Sequence, residues 1–168
     1  MDEILQTDRL RLRKFNTGDA LFVRDLTNTE DWLKNIGNRN TATEELAMKY
    51  LENGNIRNYT ELGYGGYLIE LKETGEPIGM CGLFKRESFD HPDIGFAFMP
   101  QWYGKGFGFE AASAVLKYAL EELHLPKVLG ITLPSNRGSA RILEKIGLNY
   151  IGLTRLTPDD DELMLFSS

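Results

Sequence analysis

"DIGFAFMPQWYGKGFGFEA", residues 93–111, decides how the rest of the chain reads. It begins as an apolar strand, Ile94–Met99, closed by Pro100. It then places three glycines in five positions, Gly104, Gly106 and Gly108, with Lys105 between the first two. Glycines let a backbone approach an anion without a Cβ clash. A helix follows, in which Ala112, Val115, Leu116, Ala119, Leu120 and Leu123 recur at helical spacing until Pro126 ends it. The first N–H groups of a helix lack internal partners, and the helix dipole favours negative charge there. Strand, glycine loop and helix start together predict a nest for an anion the size of a pyrophosphate. The Lys105 side chain adds a cation.

Phosphate-loop templates separate cleanly on these residues. A Walker A loop needs a hydroxyl residue directly after its lysine, and Lys105 is followed by Gly106. A dinucleotide fingerprint starting at Gly104 would need a third glycine where Phe109 stands. The pattern (Q/R)xxGx(G/A) is matched at every defined position by Gln101, Gly104 and Gly106.

On the N-terminal side, Leu10–Phe15 alternates as a strand. Asn16, Thr17 and Asp19 offer N-cap chemistry for a helix to about Thr29. "TATE", Thr41–Glu44, fits a capping box for a second helix that Gly54 stops. Tyr67–Lys72 and Ile78–Lys85 read as a hairpin around the turn "ETGE". On the C-terminal side, Val128–Leu133 is a strand, and Ser135 or Asn136 caps a helix carrying Ile142, Leu143 and Ile146. Gly147 is suited to its end. Tyr150–Leu156 and Glu162–Phe166 are the last strands, joined by "TPDDD". The order is β-α-α-β-β-β-α-β-α-β-β. It describes a mixed α/β (α+β) domain with a sheet of about seven strands and about four helices, one domain over residues 1–168.

Composition narrows the function. The chain carries a net charge of −6 and no Lys/Arg block, which argues against extended nucleic-acid binding. The basic run Arg9–Lys14 alternates with Leu10 and Leu12 and reads as a solvated strand face rather than an RNA patch. No apolar run approaches the roughly 18 residues of a membrane span. The N-terminus lacks a signal-peptide core, so the expected location is cytoplasmic. One cysteine, Cys81, sits in apolar "PIGMCGLF" and reads as a buried inert thiol. Two histidines, His91 and His124, without paired spacing give no metal site.

Four stretches together resemble the GNAT superfamily of acyl-CoA N-acyltransferases: "TDRLRLRKF" (7–15), "DIGFAFMPQWYGKGFGFEA" (93–111), "SNRGSARILEKIGL" (135–148) and "YIGLTR" (150–155). Within it the chain is similar to the ribosomal-protein N-terminal acetyltransferases, the RimJ/RimL-like branch. The resemblance implies acetyl-CoA as cosubstrate. Its pyrophosphate would lie on the amides from Gln101 through Tyr103, Gly104, Lys105, Gly106 and Phe107 to Gly108. The pantetheine arm would lie between diverging strands, bonded to backbone near Phe98 and Met99. Asn136 matches the family asparagine that contacts this arm, and Ser139 lies one helical turn on, facing the same way.

The implied reaction is attack of a neutral primary amine on the thioester, with a base taking the amine proton. The amine would be a protein N-terminal α-amine or a small-molecule amine. Asp93 stands where this branch often has a glutamate base. His91 is near, with a suitable intrinsic pKa, but in a turn. The sequence departs from the family where many relatives carry an acid tyrosine seven residues after the asparagine: that position is Leu143. Ser139 or water would have to assist. Glu110 is better explained by the helix dipole. Trp102 and Tyr103 either cover the cofactor or pack. The amine pocket is expected from Asp31–Thr43 with the Tyr59–Tyr64 loop, where Glu30, Asp31, Glu44 and Glu45 would attract a cation unless they serve helix starts. Leu143 keeps a second reading open, a non-catalytic acyl-CoA-binding or sensing domain. A nucleotide-binding module is a third. A homodimer is left open.

Overall fold

The glycine loop sits above two strands that part. In the computed structural model, which describes residues 2–168, β5 (Asp93–Phe98) and β6 (Leu129–Thr132) are neighbours in one eight-stranded sheet. The sheet order is β1-β2-β3-β4-β5-β6-β8-β7, with β1 (Glu3–Gln6), β2 (Leu10–Lys14), β3 (Gly66–Leu71), β4 (Pro77–Phe84), β7 (Asn149–Thr154) and β8 (Leu163–Ser167). Every neighbouring pair is antiparallel except β5–β6. A parallel pair needs a crossover, and α5 (Phe107–Lys117) supplies it.

Side chains alternate across the strands, and both faces are covered. Leu10, Leu12, Tyr67, Ile69 and Ile94 meet Ala112 and Val115 of α5 and Leu143 of α6 (Arg137–Lys145). Leu68 and Met80 point the other way, to α1 (Ala20–Thr27), α2 (Glu30–Asn35) and α3 (Glu44–Leu51), through Val23, Leu26, Trp32, Ala47 and Leu51. A helix as short as α2 does not hold itself together in water. The Thr29 cap and the buried Trp32 ring stabilise it, the ring by about 1.5–3 kcal/mol.

The mixed α/β class is the one expected, and the structure adds elements to it. Strand β1 pairs outside β2, and α2 forms at the start of the Asp31–Thr43 stretch, where no helix is expected. The cap of α3 is Thr43, whereas Thr41 is buried and bonds Thr27. Gly54 does not end that helix. The chain widens into a π turn, Glu52–Ile56, and continues as α4 (Arg57–Glu61). Asn55 in that turn accepts the Gly66 amide at 2.9 Å, so a tertiary bond holds the wider turn.

In the run Arg9–Lys14, Arg9 is exposed as expected of a solvated face, but Arg11 and Arg13 are ion-paired. Because β1 covers the outer edge of the run and β3 its inner one, Arg11 lies between Glu3 (3.5 Å) and Glu70 (3.6 Å), and Arg13 between Asp19 (2.8 Å) and Glu70 (3.1 Å). Among the described residues no helix is long and apolar enough to cross a membrane.

Candidate active site at the parting of two strands

Strand β5 is paired to β4 along its whole length, from Asp93↔Phe84 to Phe98↔Gly79. To β6 it is paired only at Asp93↔Leu129 and Ile94↔Gly130. Beyond Ile94 the two strands separate. Backbone groups alternate in direction along a strand. The Met99 amide donates to the Ile78 carbonyl on the β4 side, and the Leu129 amide donates to the Pro92 carbonyl on the β6 side. Even-numbered residues therefore turn their N–H and C=O toward β6, and those of Phe96 and Phe98 open into the gap. Met99 does not share this role. Its amide is taken by Ile78 and its carbonyl accepts from Trp102.

The gap opens at the C-terminal ends of β5 and β6, the end at which open α/β sheets bind ligands. Gln101 lies exposed on a 3-10 turn, Pro100–Trp102, that carries β5 into the loop. Gly104 and Gly106 adopt φ of +73° and +83°, conformations that favour glycine. Gly106 is the N-cap of α5, and a Cβ at Gly104 would meet nothing within 4 Å. The Trp102 and Tyr103 amides donate to the Met99 and Pro100 carbonyls, and the Gly104, Lys105 and Gly106 amides meet no backbone acceptor among the described residues. The other loop positions differ in role. The Phe107 ring is buried and meets Trp102 edge-on at 6.0 Å, so Trp102 packs inward. A Cβ at Gly108 would stand 2.8 Å from Ile142 Cδ1, so this glycine lets α5 and α6 approach. Tyr103 is 44% exposed, and its phenol is pushed up to about 12, by burial first and then by the neighbouring Asp31 carboxylate of α2.

Helix α6 begins at the same mouth. Asn136 is its N-cap, its Oδ1 accepting the Ser139 amide at 3.3 Å. The Asn136 Nδ2 is left as a donor, and Ser139 is half-buried beside it. Leu143, two turns along, is 1% exposed, and a Cβ on Gly130 would stand 2.8 Å from its Cδ2. Helix and β6 are in close contact there, and no proton donor occupies the position.

Asp93 lies at the other end of β5. It is 2% exposed and accepts from Arg86 Nε at 2.8 Å. Burial pushes its carboxyl up, and the Arg86 charge and hydrogen bond oppose that. It stands five strand steps, about 16 Å, from Phe98. The structure thus groups the loop, Phe98, Asn136 and Ser139, and sets Asp93 apart. His91 lies in the bend before β5.

The residues expected to line an amine pocket are placed as follows in the fold. Tyr59 belongs to α4 and turns inward, accepting the Phe15 amide and donating to the Gly66 carbonyl, and Tyr64 is buried. Glu30 and Asp31 occupy the first turn of α2, and Glu44 and Glu45 that of α3. A depression of about 440 Å³ against α3 is lined by Arg39, Lys49 and Tyr50 and by none of these four carboxylates.

Two groups were not legible as site residues, Thr7 and Arg9. Glu110 accepts from Thr7 Oγ1 at 2.5 Å, from the Arg9 amide at 3.0 Å and from Arg9 Nε at 2.7 Å. Its role is to tie the β1–β2 turn to α5. Burial would raise its carboxyl, but these hydrogen bonds and the guanidinium charge hold it below the ordinary range.

A family profile described as an acetyltransferase (GNAT) domain matches residues 9–149. The chain belongs to the GNAT acetyltransferase family. This GNAT protein has relatives in the branch its sequence resembles. The ribosomal protein uS5-alanine N-acetyltransferase of Escherichia coli is 29% identical over 82 residues, 48% of this chain and 42% of its own. YkkB of Bacillus subtilis is 32% identical over 149 residues, 87% of this chain and 85% of its own. RimL, a ribosomal L7/L12 α-N-protein acetyltransferase solved with coenzyme A, shares the fold with a TM-score of 0.84 at 16% identity, covering 99% of this chain and 97% of its own. Membership places this GNAT protein among acetyl-CoA-dependent N-acetyltransferases.

Proposed function

We propose that this GNAT protein transfers an acetyl group from acetyl-CoA to a primary amine, with a protein N-terminal α-amine as the leading acceptor and a small amine as the other. One observation carries the reading: the unpaired edge of β5 at Phe96 and Phe98 opens directly beneath the glycine loop. The residues present fit the cosubstrate. Phe98 offers an amide and a carbonyl to an extended arm, as a strand partner would. Of the amides from Gln101 to Gly108, those of Trp102 and Tyr103 are taken by Met99 and Pro100, while those of Gly104, Lys105 and Gly106, with the Lys105 side chain, suit a diphosphate, and Asn136 Nδ2 suits the arm. The protein-acceptor reading is supported by the substrates named for the uS5-alanine enzyme and RimL. A reducing, cytoplasmic setting suits the single buried thiol Cys81.

When bound, acetyl-CoA supplies an activated thioester that an amine attacks directly. The chain's part is mostly positional. Backbone N–H groups of the gap orient and polarise a carbonyl held there. Ser139 stands at the mouth, where a hydroxyl can donate to a developing thiolate. Leu143 keeps that wall dry and gives no proton. Asp93, too far along β5 for direct contact, takes the amine proton through water.

Leu143 also supports a second reading, an acyl-CoA-binding or sensing domain without catalysis. A thiol-release assay decides between them. Thiol formed from acetyl-CoA only when an N-terminal peptide or amine is added supports transfer. Binding of acetyl-CoA with no acceptor-dependent thiol overturns it. Unfolding midpoints with acetyl-CoA, CoA, ATP and NAD at matched concentration separate CoA from nucleotide binding.

A further inference from the structure

Arg9 lies 101 residues from Glu110 in sequence yet is fixed to it twice, through its amide and its Nε. Its Nη1 donates to the Lys105 carbonyl at 3.1 Å. Its guanidinium lies 4.2 Å over the Phe107 ring, and its Nη2 stands 3.4 Å from where a Gly106 Cβ would be. The side chain thus holds the glycine loop from behind at several points.

Two consequences follow from elementary geometry and charge. The Lys105–Gly106 peptide is trans, so its carbonyl and its N–H point in opposite directions. With the carbonyl bonded to Arg9, the Gly106 N–H is aimed away from Arg9. It meets no acceptor among the described residues. Glu110, in the first turn of α5, is itself an anion at the helix start that a diphosphate would have to share. Arg9 and Thr7 satisfy and neutralise it.

We propose that Arg9 is a positioning residue for the diphosphate loop: it sets the plane of the Lys105–Gly106 peptide and cancels the charge of Glu110, so that the loop amides are presented to an anion. This rests on the reading that the loop holds the diphosphate of acetyl-CoA.

The test compares CoA with pantetheine, which has the same arm and no diphosphate. Dissociation constants for both come from the rise in unfolding midpoint over a concentration series, so no acceptor is needed. In the wild type CoA should bind much more tightly than pantetheine. In Arg9→Met that preference should fall about ten- to a hundredfold, the scale of one charge-assisted hydrogen bond. Adding Glu110→Gln should restore part of it, because the uncancelled charge is then gone. Arg9→Lys, which keeps the charge but cannot serve Glu110 and the Lys105 carbonyl together, should also lose preference, and it carries the test if Arg9→Met does not fold. Equal weakening of both ligands, or an unchanged preference in folded Arg9 variants, overturns the proposal and makes Arg9 merely structural. A wild type without preference for CoA overturns instead the assignment of the loop to a diphosphate, and this proposal with it.

Discussion

Gly106→Val separates backbone strain from damage to the loop's anion site. Gly106 has φ of +83°. An L residue forced into that region costs about 1–2 kcal/mol. For a domain of this size each kcal/mol moves the unfolding midpoint by about 2–4 °C, so the free variant should melt about 2–8 °C lower. Gly75 is the matched control. It has φ of +76°, a Cβ there would meet nothing within 4 Å, and it lies in the β3–β4 turn. Gly75→Val should lose a similar amount. With CoA at a hundred times its dissociation constant, binding contributes about 2.7 kcal/mol, a rise of about 5–11 °C. Wild type and Gly75→Val should show that rise. Gly106→Val, whose branched side chain would press on Arg9 Nη2, 3.4 Å from its Cβ, and so disturb the peptide that faces the anion, should show little of it. Differential scanning fluorimetry of the three proteins, with and without CoA, reads all these quantities. If Gly106→Val gains as much from CoA as Gly75→Val, the loop does not hold the diphosphate.

Asp93→Asn should lower kcat/KM about 10²–10⁴-fold, the usual range for a lost base. The acid limb of the wild-type rate profile should lie above the ordinary aspartate value of about 3.9, because burial raises this carboxyl. An unchanged rate would leave Asp93 only its partner Arg86. Ser139→Ala keeps the amide that Asn136 caps, so the fold should be intact while kcat drops about tenfold, the value of one hydrogen bond to a charged group. Full turnover would remove Ser139 from the chemistry. Glu110 has a lowered folded pKa, so its stabilisation is present above the unfolded value of about 4.3 and lost as pH falls through the folded one. Glu110→Gln should therefore flatten the acid limb of the stability profile between pH 6 and the start of acid unfolding, as measured by urea midpoints. A variant whose stability falls off as steeply as the wild type's would refute the assignment.

What could be read from the sequence was whatever a local pattern encodes. The strand before the loop, the glycine spacing, the stripe of α5 and the Asn136 cap are all written within one or two turns of chain. Strand β1 was missed because "EILQ" is four residues with polar ends, and its partner Arg13 lies across a turn. Helix α2 was missed because its neighbours are Asn and Gly, and what holds it, Trp32 in the core, is a tertiary contact. Gly54 was misread for the same reason: Asn55 bonds β3 and carries the helix on. The arginines of β2 look solvated until their partners, Glu70 on β3 and Asp19 before α1, are known, and so does Arg9 until Glu110 on α5 is. None of those pairings leaves a mark at short range. Leu143 was readable as an apolar residue, but its tight seating against Gly130 was not.

The sheet is joined across β5 and β6 by two residue pairs alone. Leaves β1–β5 and β6–β8–β7 therefore share a narrow spine, with α5 and α6 bound over it by Gly108, Ile142 and Leu143. Such a seam is where a native sheet opens at least cost. An extended molecule bonded to Phe98 would act as a missing rung. Amide hydrogen exchange should then slow most at Phe96, Phe98 and the residues of β6 when the site fills, while β2–β4 change little. The cosubstrate would be a reactant and, for as long as it stays, also a part of the protein's secondary structure.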